Sequence, residues 1–192
     1  MLLVLAGLAA VAYGGYRYYW IHRYDELIAR VAPVYSLEPD LVHAVIYEES
    51  FFWTHARSGA GAKGLMQVTD VVVNEWRTEK GYERLPAPVR RRAEAPGASN
   101  AAVLADPELN LNVGCWYLGK MLARFRGEED PLAVALAAYN AGASNAERWL
   151  RASRATPGAN GARARAFVEA IDYPETKGYV QDVTRRYRKS SR

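Results

Sequence analysis

Pro39-Asp40-Leu41-Val42-His43-Ala44-Val45-Ile46-Tyr47-Glu48-Glu49-Ser50-Phe51-Phe52 reads as one helix that ends in two adjacent carboxylates. Proline stands in the first turn and an acidic residue lies near the positive end of the dipole. Leu41, Val42, Val45 and Ile46 mark the buried face. The residues three and four positions from Glu49 are Val45, Ile46, Phe52 and Trp53, which share its side of the helix. A carboxyl on such a face is poorly solvated, so its pKa rises and it stays protonated nearer neutral pH, as a general acid requires. Glu48 has Ala44, Val45, Phe51 and Phe52 in the same relation, so periodicity barely separates the two. The plainer reading is that one glutamate is solvated at the helix end and the other accepts structural hydrogen bonds.

Working outward, helical patterns dominate. Tyr24 to Ser36 is amphipathic through Leu27, Ile28, Val31 and Val34. A glycine-rich loop with Gly59, Gly61 and Gly64 follows the central stretch, and Met66 to Trp76 reads as helix. Arg77 to Asn100 reads as an irregular surface insertion with room for a short helix. Asp106-Pro107-Glu108 opens a long helix through Phe125, and Asp130-Pro131 caps the next, Leu132 to Asn140, which Gly142 ends with a left-handed cap. Ala143 to Leu150 is a further short helix, Ser153 to Ala164 a flexible loop, and Tyr173-Pro174-Glu175 begins the last helix. The expected class is all-α, with at most a minor β-hairpin.

The 192 residues suit one ordinary domain plus a short extension, and half of them are hydrophobic. The net charge of +4 is mild. Arginine is spread along the chain, which argues against nucleic-acid binding and suits other anionic polymers equally well. Cys115, the lone cysteine, reads as a small buried hydrophobe. His43 and His55 share no metal-ligand spacing, so no metal is expected. Met1 to Tyr13 is almost wholly apolar, and Tyr16, Tyr18, Tyr19 and Trp20 follow. Residues 1–20 are therefore expected to be a membrane anchor or a signal segment, and 21–192 the folded domain. The run is short for a full span, Ala10-Val11-Ala12 fits a cleavage site, and the aromatic cluster fits an interfacial belt. Arg17, Arg23 and Arg30 trail the run and by the positive-inside tendency argue against export.

Five blocks in sequence carry a resemblance. They are Glu49-Ser50; Ser58-Gly59-Ala60-Gly61-Ala62-Lys63-Gly64-Leu65-Met66-Gln67; Asp106 to Gly114 with Tyr117-Leu118; Ala138-Tyr139-Asn140-Ala141-Gly142; and Pro174-Glu175-Thr176-Lys177-Gly178-Tyr179-Val180. In order and spacing they resemble the soluble lytic transglycosylases over about Tyr24 to Tyr187. The resemblance implies a lysozyme-like fold and a peptidoglycan glycan strand as substrate. It implies Glu49 as the catalytic acid and base, Ser58, Met66, Gln67 and Tyr139 as substrate-binding residues, and Ser50, Asn140 and Glu175 as supports. It implies no cofactor and a place in the cell envelope, exported, with membrane association through the N-terminal segment. Thr69-Asp70 departs from the family's usual pair after its Gly-Leu-Met-Gln segment.

Ser50 to Thr69 contains no Asp or Glu. Hydrolysing glycosidases need a second carboxylate, at about 5 Å in retaining enzymes and farther in inverting ones. Its absence agrees with the family chemistry, in which the substrate's 6-hydroxyl closes onto the anomeric carbon and gives a 1,6-anhydro product. Asp70, Glu75 and Glu79 remain as carboxylates that could fold back. A hydrolase on the same fold and a non-catalytic glycan-binding module are the rival expectations.

Overall fold

The computed structural model describes residues 2–154 and 162–190. Its helices are α1 (Leu2–His22), α2 (Asp25–Val31), α3 (Pro39–Ser50), α4 (Asp70–Thr78), α5 (Ala87–Ala93), α6 (Asn100–Ala105), α7 (Pro107–Arg124), α8 (Pro131–Ala141), α9 (Ala143–Arg154), α10 (Ala162–Ala170) and α11 (Pro174–Ser190). Short 3-10 turns cover Ala32–Tyr35 and Gly81–Arg84. No strand occurs among the described residues. The expected hairpin is reduced to two isolated bridges, Arg57 to Lys63 and Lys63 to Val68.

The centre is built from α7 and α8. Ala133 to Ala138 are all buried, so α8 is apolar on every side and is enclosed by α7, α9 and α11. Helix α11 also packs along α3, which closes the layer that carries Glu48 and Glu49. The helix starts follow their caps: the Asp106 carboxylate accepts from the Glu108 and Leu109 amides, and that of Asp130 accepts from Ala133.

Four local expectations change. The helix expected from Met66 begins at Asp70, because the Thr69 hydroxyl accepts from the Val72 amide at 3.4 Å and caps it there. The Arg77 to Asn100 stretch is more regular than expected, containing the 3-10 turn and α5 before α6 starts at Asn100. Helix α9 runs to Arg154 and α10 starts at Ala162, so the expected Ser153 to Ala164 loop is helical at both ends; residues 155–161 lie outside the described residues. Gly142 has the positive φ that was expected, at +87°, but its ψ of 149° lies in the extended region open mainly to glycine and not in a left-handed helical cap.

Helix α1 carries its apolar side chains outward: Val4, Leu5, Leu8 and Val11 are all more than half exposed. No described helix is long and apolar enough to cross a membrane. Its last turn is anchored to the domain. Trp20 Nε1 donates to the Phe51 carbonyl at 2.8 Å, and Arg23, stacked 3.4 Å over the Trp20 ring, donates to the Phe52 carbonyl.

Candidate active site

Glu49 is the penultimate residue of α3. Its side chain keeps some solvent access, yet protein surrounds most of the carboxyl. Burial pushes its pKa up from 4.5 to about 7. Hydrogen bonding to the Tyr179 phenol opposes the shift, and the neighbouring Glu48 charge adds to it. The Tyr179 hydroxyl, from α11, is itself buried and makes no hydrogen bond of good geometry, so its interaction with Glu49 is a loose one. Such contacts shorten when substrate completes a site.

Glu48 has a different environment. Arg186 of α11 donates to its Oε1 from Nε at 2.9 Å and from Nη2 at 2.7 Å, and stacks 3.3 Å over the Tyr47 ring. Glu48 is thus a paired, structural carboxylate. No described cation lies within ion-pair range of Glu49. The two carboxylates that periodicity left level are separated by a partner 138 residues away.

The backbone after Ser50 turns sharply. Phe51 and Phe52 both take positive φ, at +49° and +62°, which is uncommon for bulky residues. The surroundings hold them there. Phe52 is fully buried against His43 and Tyr47, and Trp20 of α1 and Arg23 just beyond it bind the two carbonyls as described above. Ser50 adds a tie to the loop, since its hydroxyl donates to the Leu65 carbonyl at 2.8 Å.

Residues Gly64 to Gln67 are clamped from beneath by Asn110 of α7. Its amide donates to the carbonyls of Lys63 at 2.8 Å and Leu104 at 3.2 Å, and its oxygen accepts from the Met66 amide at 2.9 Å. Gly64 has φ +79°, and a methyl group there would collide with the Asn110 amide, so glycine is required. Tyr139 of α8 donates from its hydroxyl to the Met66 carbonyl at 2.7 Å and senses the Glu49 charge. Burial raises its own pKa well above the usual value.

Each expected site residue has a place. Glu49, Ser50, Tyr139 and Gln67 gather around the Gly64 to Gln67 loop. Gln67 takes φ +45° and donates from Nε2 to the Gly64 carbonyl at 3.0 Å. Ser58 is exposed, and its hydroxyl accepts from the Ala62 amide at 3.1 Å, closing the preceding turn. Met66 is a correction. Its side chain is fully buried beside Cys115 and Gly114, so it forms the floor of the site and has no surface to offer a ligand. Asn140 accepts from the Thr176 hydroxyl at 2.7 Å and joins α8 to α11. Glu175 stands exposed in the first turn of α11, and it is its neighbour Thr176 that bonds to Asn140. Residues missed in the sequence are Tyr179, Asn110, Thr176 and Arg186. Tyr179 and Thr176 lay within a quoted block, but their inward direction depends on how α11 packs.

The three carboxylates that could have folded back are held elsewhere. Asp70 pairs with Lys63 at 3.2 Å, and Glu75 and Glu79 both pair with Lys120. Among the described residues, no metal-ligand group includes Glu49.

The family profile described as the transglycosylase SLT domain matches residues 26–160. The chain belongs to this family. Similar SLT proteins include the soluble lytic murein transglycosylase of Escherichia coli, 31% identical over 160 residues, which cover 83% of this chain and 22% of that protein. Membrane-bound lytic murein transglycosylase F of Desulfosudis oleivorans is 29% identical, with 86% of this chain and 32% of that protein covered. Among solved structures, an inactive glutamate-to-glutamine mutant of the lytic transglycosylase Slt from Pseudomonas aeruginosa superposes with a TM-score of 0.67 at 27% identity, covering 86% of this chain and 23% of that one. The 70 kDa soluble lytic transglycosylase of E. coli gives 0.65 at 29% identity, covering 88% and 24%. This SLT chain therefore spans a fifth to a third of the length of these relatives. The fold is the all-α, lysozyme-like one that the sequence suggested.

Proposed function

We propose that this SLT domain cleaves the bond between N-acetylmuramic acid and N-acetylglucosamine in peptidoglycan strands without consuming water. The observation that carries this reading is Glu49, a carboxyl raised by burial and without a cation partner, while Glu48, Asp70, Glu75 and Glu79 are each paired with a cation. Protonated near neutral pH, Glu49 donates its proton to the glycosidic oxygen, and the bond from that oxygen to the muramic C1 breaks. The positive charge that develops at C1 is supported by the substrate's own acetamido group. The Glu49 carboxylate then removes the proton from the 6-hydroxyl, and O6 bonds to C1. The proton is back on Glu49, the leaving sugar keeps its hydroxyl, and the ring ends as 1,6-anhydromuramic acid. The tethered hydroxyl can have an effective molarity of about 10⁵ M or more, far above that of water.

In this reading the Tyr179 hydroxyl stabilises the Glu49 anion between the two steps. Gln67, Tyr139 and the exposed Ser58 hydroxyl line the path of the glycan. The inactive glutamine variant of the Pseudomonas relative agrees with dependence on one glutamate. We place the enzyme in the cell envelope, with the exposed apolar side of α1 against a membrane surface. Three of the relatives carry membrane-bound in their names. The test is loss of turbidity of purified sacculi. The wild-type chain is expected to clear them and Glu49→Gln to bind without clearing. Binding without clearing by the wild type would make the domain a glycan-binding module.

A further inference from the structure

Three side chains from three helices meet where α1 ends. His22 closes α1, Asp25 opens α2 and His43 lies in the first half of α3. Their ligand atoms all lie within 4.8 Å of one another. His22 Nδ1 is 2.7 Å from Asp25 Oδ2, and His43 Nε2 is 3.6 Å from Asp25 Oδ1. The last two atoms are buried and have no hydrogen-bond partner. A separation of 3.6 Å is too long for a direct hydrogen bond. Leaving such atoms unpaired is costly, so a partner of another kind is called for.

We propose that His22, Asp25 and His43 form a binding site for a divalent transition-metal ion of the zinc class. Metal bonds of about 2.0–2.1 Å in tetrahedral geometry place ligand atoms roughly 3.3–3.4 Å apart. The His43 to Asp25 separation is close to that edge, and a small turn of the His22 ring opens the shorter one. Two imidazoles with one carboxylate suit zinc and its neighbours. Calcium and magnesium favour sites made of oxygen alone. A cavity of about 380 Å³, bordered by Ile28, Pro39, Asp40 and Ser190, adjoins the three side chains and leaves room for water as a fourth ligand.

The rings are also held in place. His43 packs on Phe52 with centroids 4.7 Å apart, and His22 on Tyr18 at 4.3 Å. Phe52 belongs to the strained turn after Glu49, so an ion here would fasten α1 and α2 to the helix that carries the catalytic carboxyl. The ion takes no part in the cleavage, and the site's sequence signal is hidden because its ligands lie 3 and 18 residues apart on different helices.

The test uses the untagged full-length chain, stripped with a chelator and titrated with zinc chloride in a calorimeter. One zinc per chain is expected, with a midpoint of unfolding raised by about 5–10 °C at a hundredfold excess over Kd. Cobalt in place of zinc should give the intense visible absorption of a tetrahedral site. His43→Ala and Asp25→Asn should each weaken zinc binding at least tenfold, while His55→Ala leaves it unchanged. Calcium and magnesium should not compete. No saturable zinc binding by the wild-type chain overturns the proposal whatever the variants do. Zinc binding that survives both His43→Ala and Asp25→Asn overturns it equally.

Discussion

Arg186 holds Oε1 of Glu48 with two hydrogen bonds, of 2.9 and 2.7 Å, and so binds α11 to the residue directly before Glu49. The pair assigns the adjacent glutamates to different work. Glu49→Gln is expected to lower the rate of sacculus cleavage by about 10²- to 10⁴-fold with the fold intact. Glu48→Gln should keep most activity and cost about 1–2 kcal/mol of stability, because the Arg186 guanidinium loses its charged acceptor. Parallel rate and denaturation measurements on the two variants check this. The reverse pattern of rates would transfer the acid role to Glu48.

The pKa of about 7 for Glu49 gives a pH dependence with a definite sign. The first step needs the protonated form, so activity should decline as pH rises through about 7. Folding follows the same titration. A carboxyl whose folded pKa exceeds its unfolded value favours the folded state fully below about 4.5 and loses that contribution as pH rises through about 7. Glu49→Gln removes the loss. Its unfolding midpoint should match wild type at about pH 4 and exceed it by roughly 7–14 °C at about pH 8.5. Thermal scans at the two pH values decide the matter, and equal midpoints at both would mean that Glu49 is not perturbed.

Tyr179→Phe removes the group that opposes the upward shift of Glu49. The alkaline limb of the pH-rate profile should move to higher pH, and the rate at its maximum should fall roughly tenfold, the worth of one hydrogen bond to a charged acceptor. A profile that drops in height without moving would assign Tyr179 to packing alone.

The two ends of α1 are expected to behave differently. Removing residues 1–19 takes away the exposed apolar surface but keeps Trp20 and Arg23, so the product should be more soluble and active. Trp20→Phe and Arg23→Ala each free a carbonyl of the turn at Phe51 and Phe52. Each should lower activity several-fold and lower the unfolding midpoint. Full activity in the Trp20→Phe, Arg23→Ala double variant would show that the turn holds its shape unaided.

Much of this was legible in the sequence where the signal was local. Asp106-Pro107, Asp130-Pro131 and the apolar face of α3 announced their helices through capping and periodicity. The Met66 to Val68 segment misled because its apolar run imitates a helix start. The backbone there instead follows the Asn110 clamp and the positive φ of Gln67, both set by α7, some 44 residues away. Periodicity left Glu48 and Glu49 level for the same reason, and in the sequence only the Glu49-Ser50 block of the resemblance chose between them. Their helical neighbours are alike, and only Arg186 and Tyr179 on α11 distinguish them. The burial of Met66 and the exposure of Glu175 likewise depend on packing that spacing alone does not record.

The central claim is that Glu49 works alone and that no water is activated. It is tested most directly by mass spectrometry of sacculi digested in ¹⁸O-labelled water. The account predicts muropeptides with 1,6-anhydromuramic ends, one water lighter than hydrolysis products and free of solvent label. Reducing muramic ends that carry ¹⁸O would contradict it and make the domain a hydrolase.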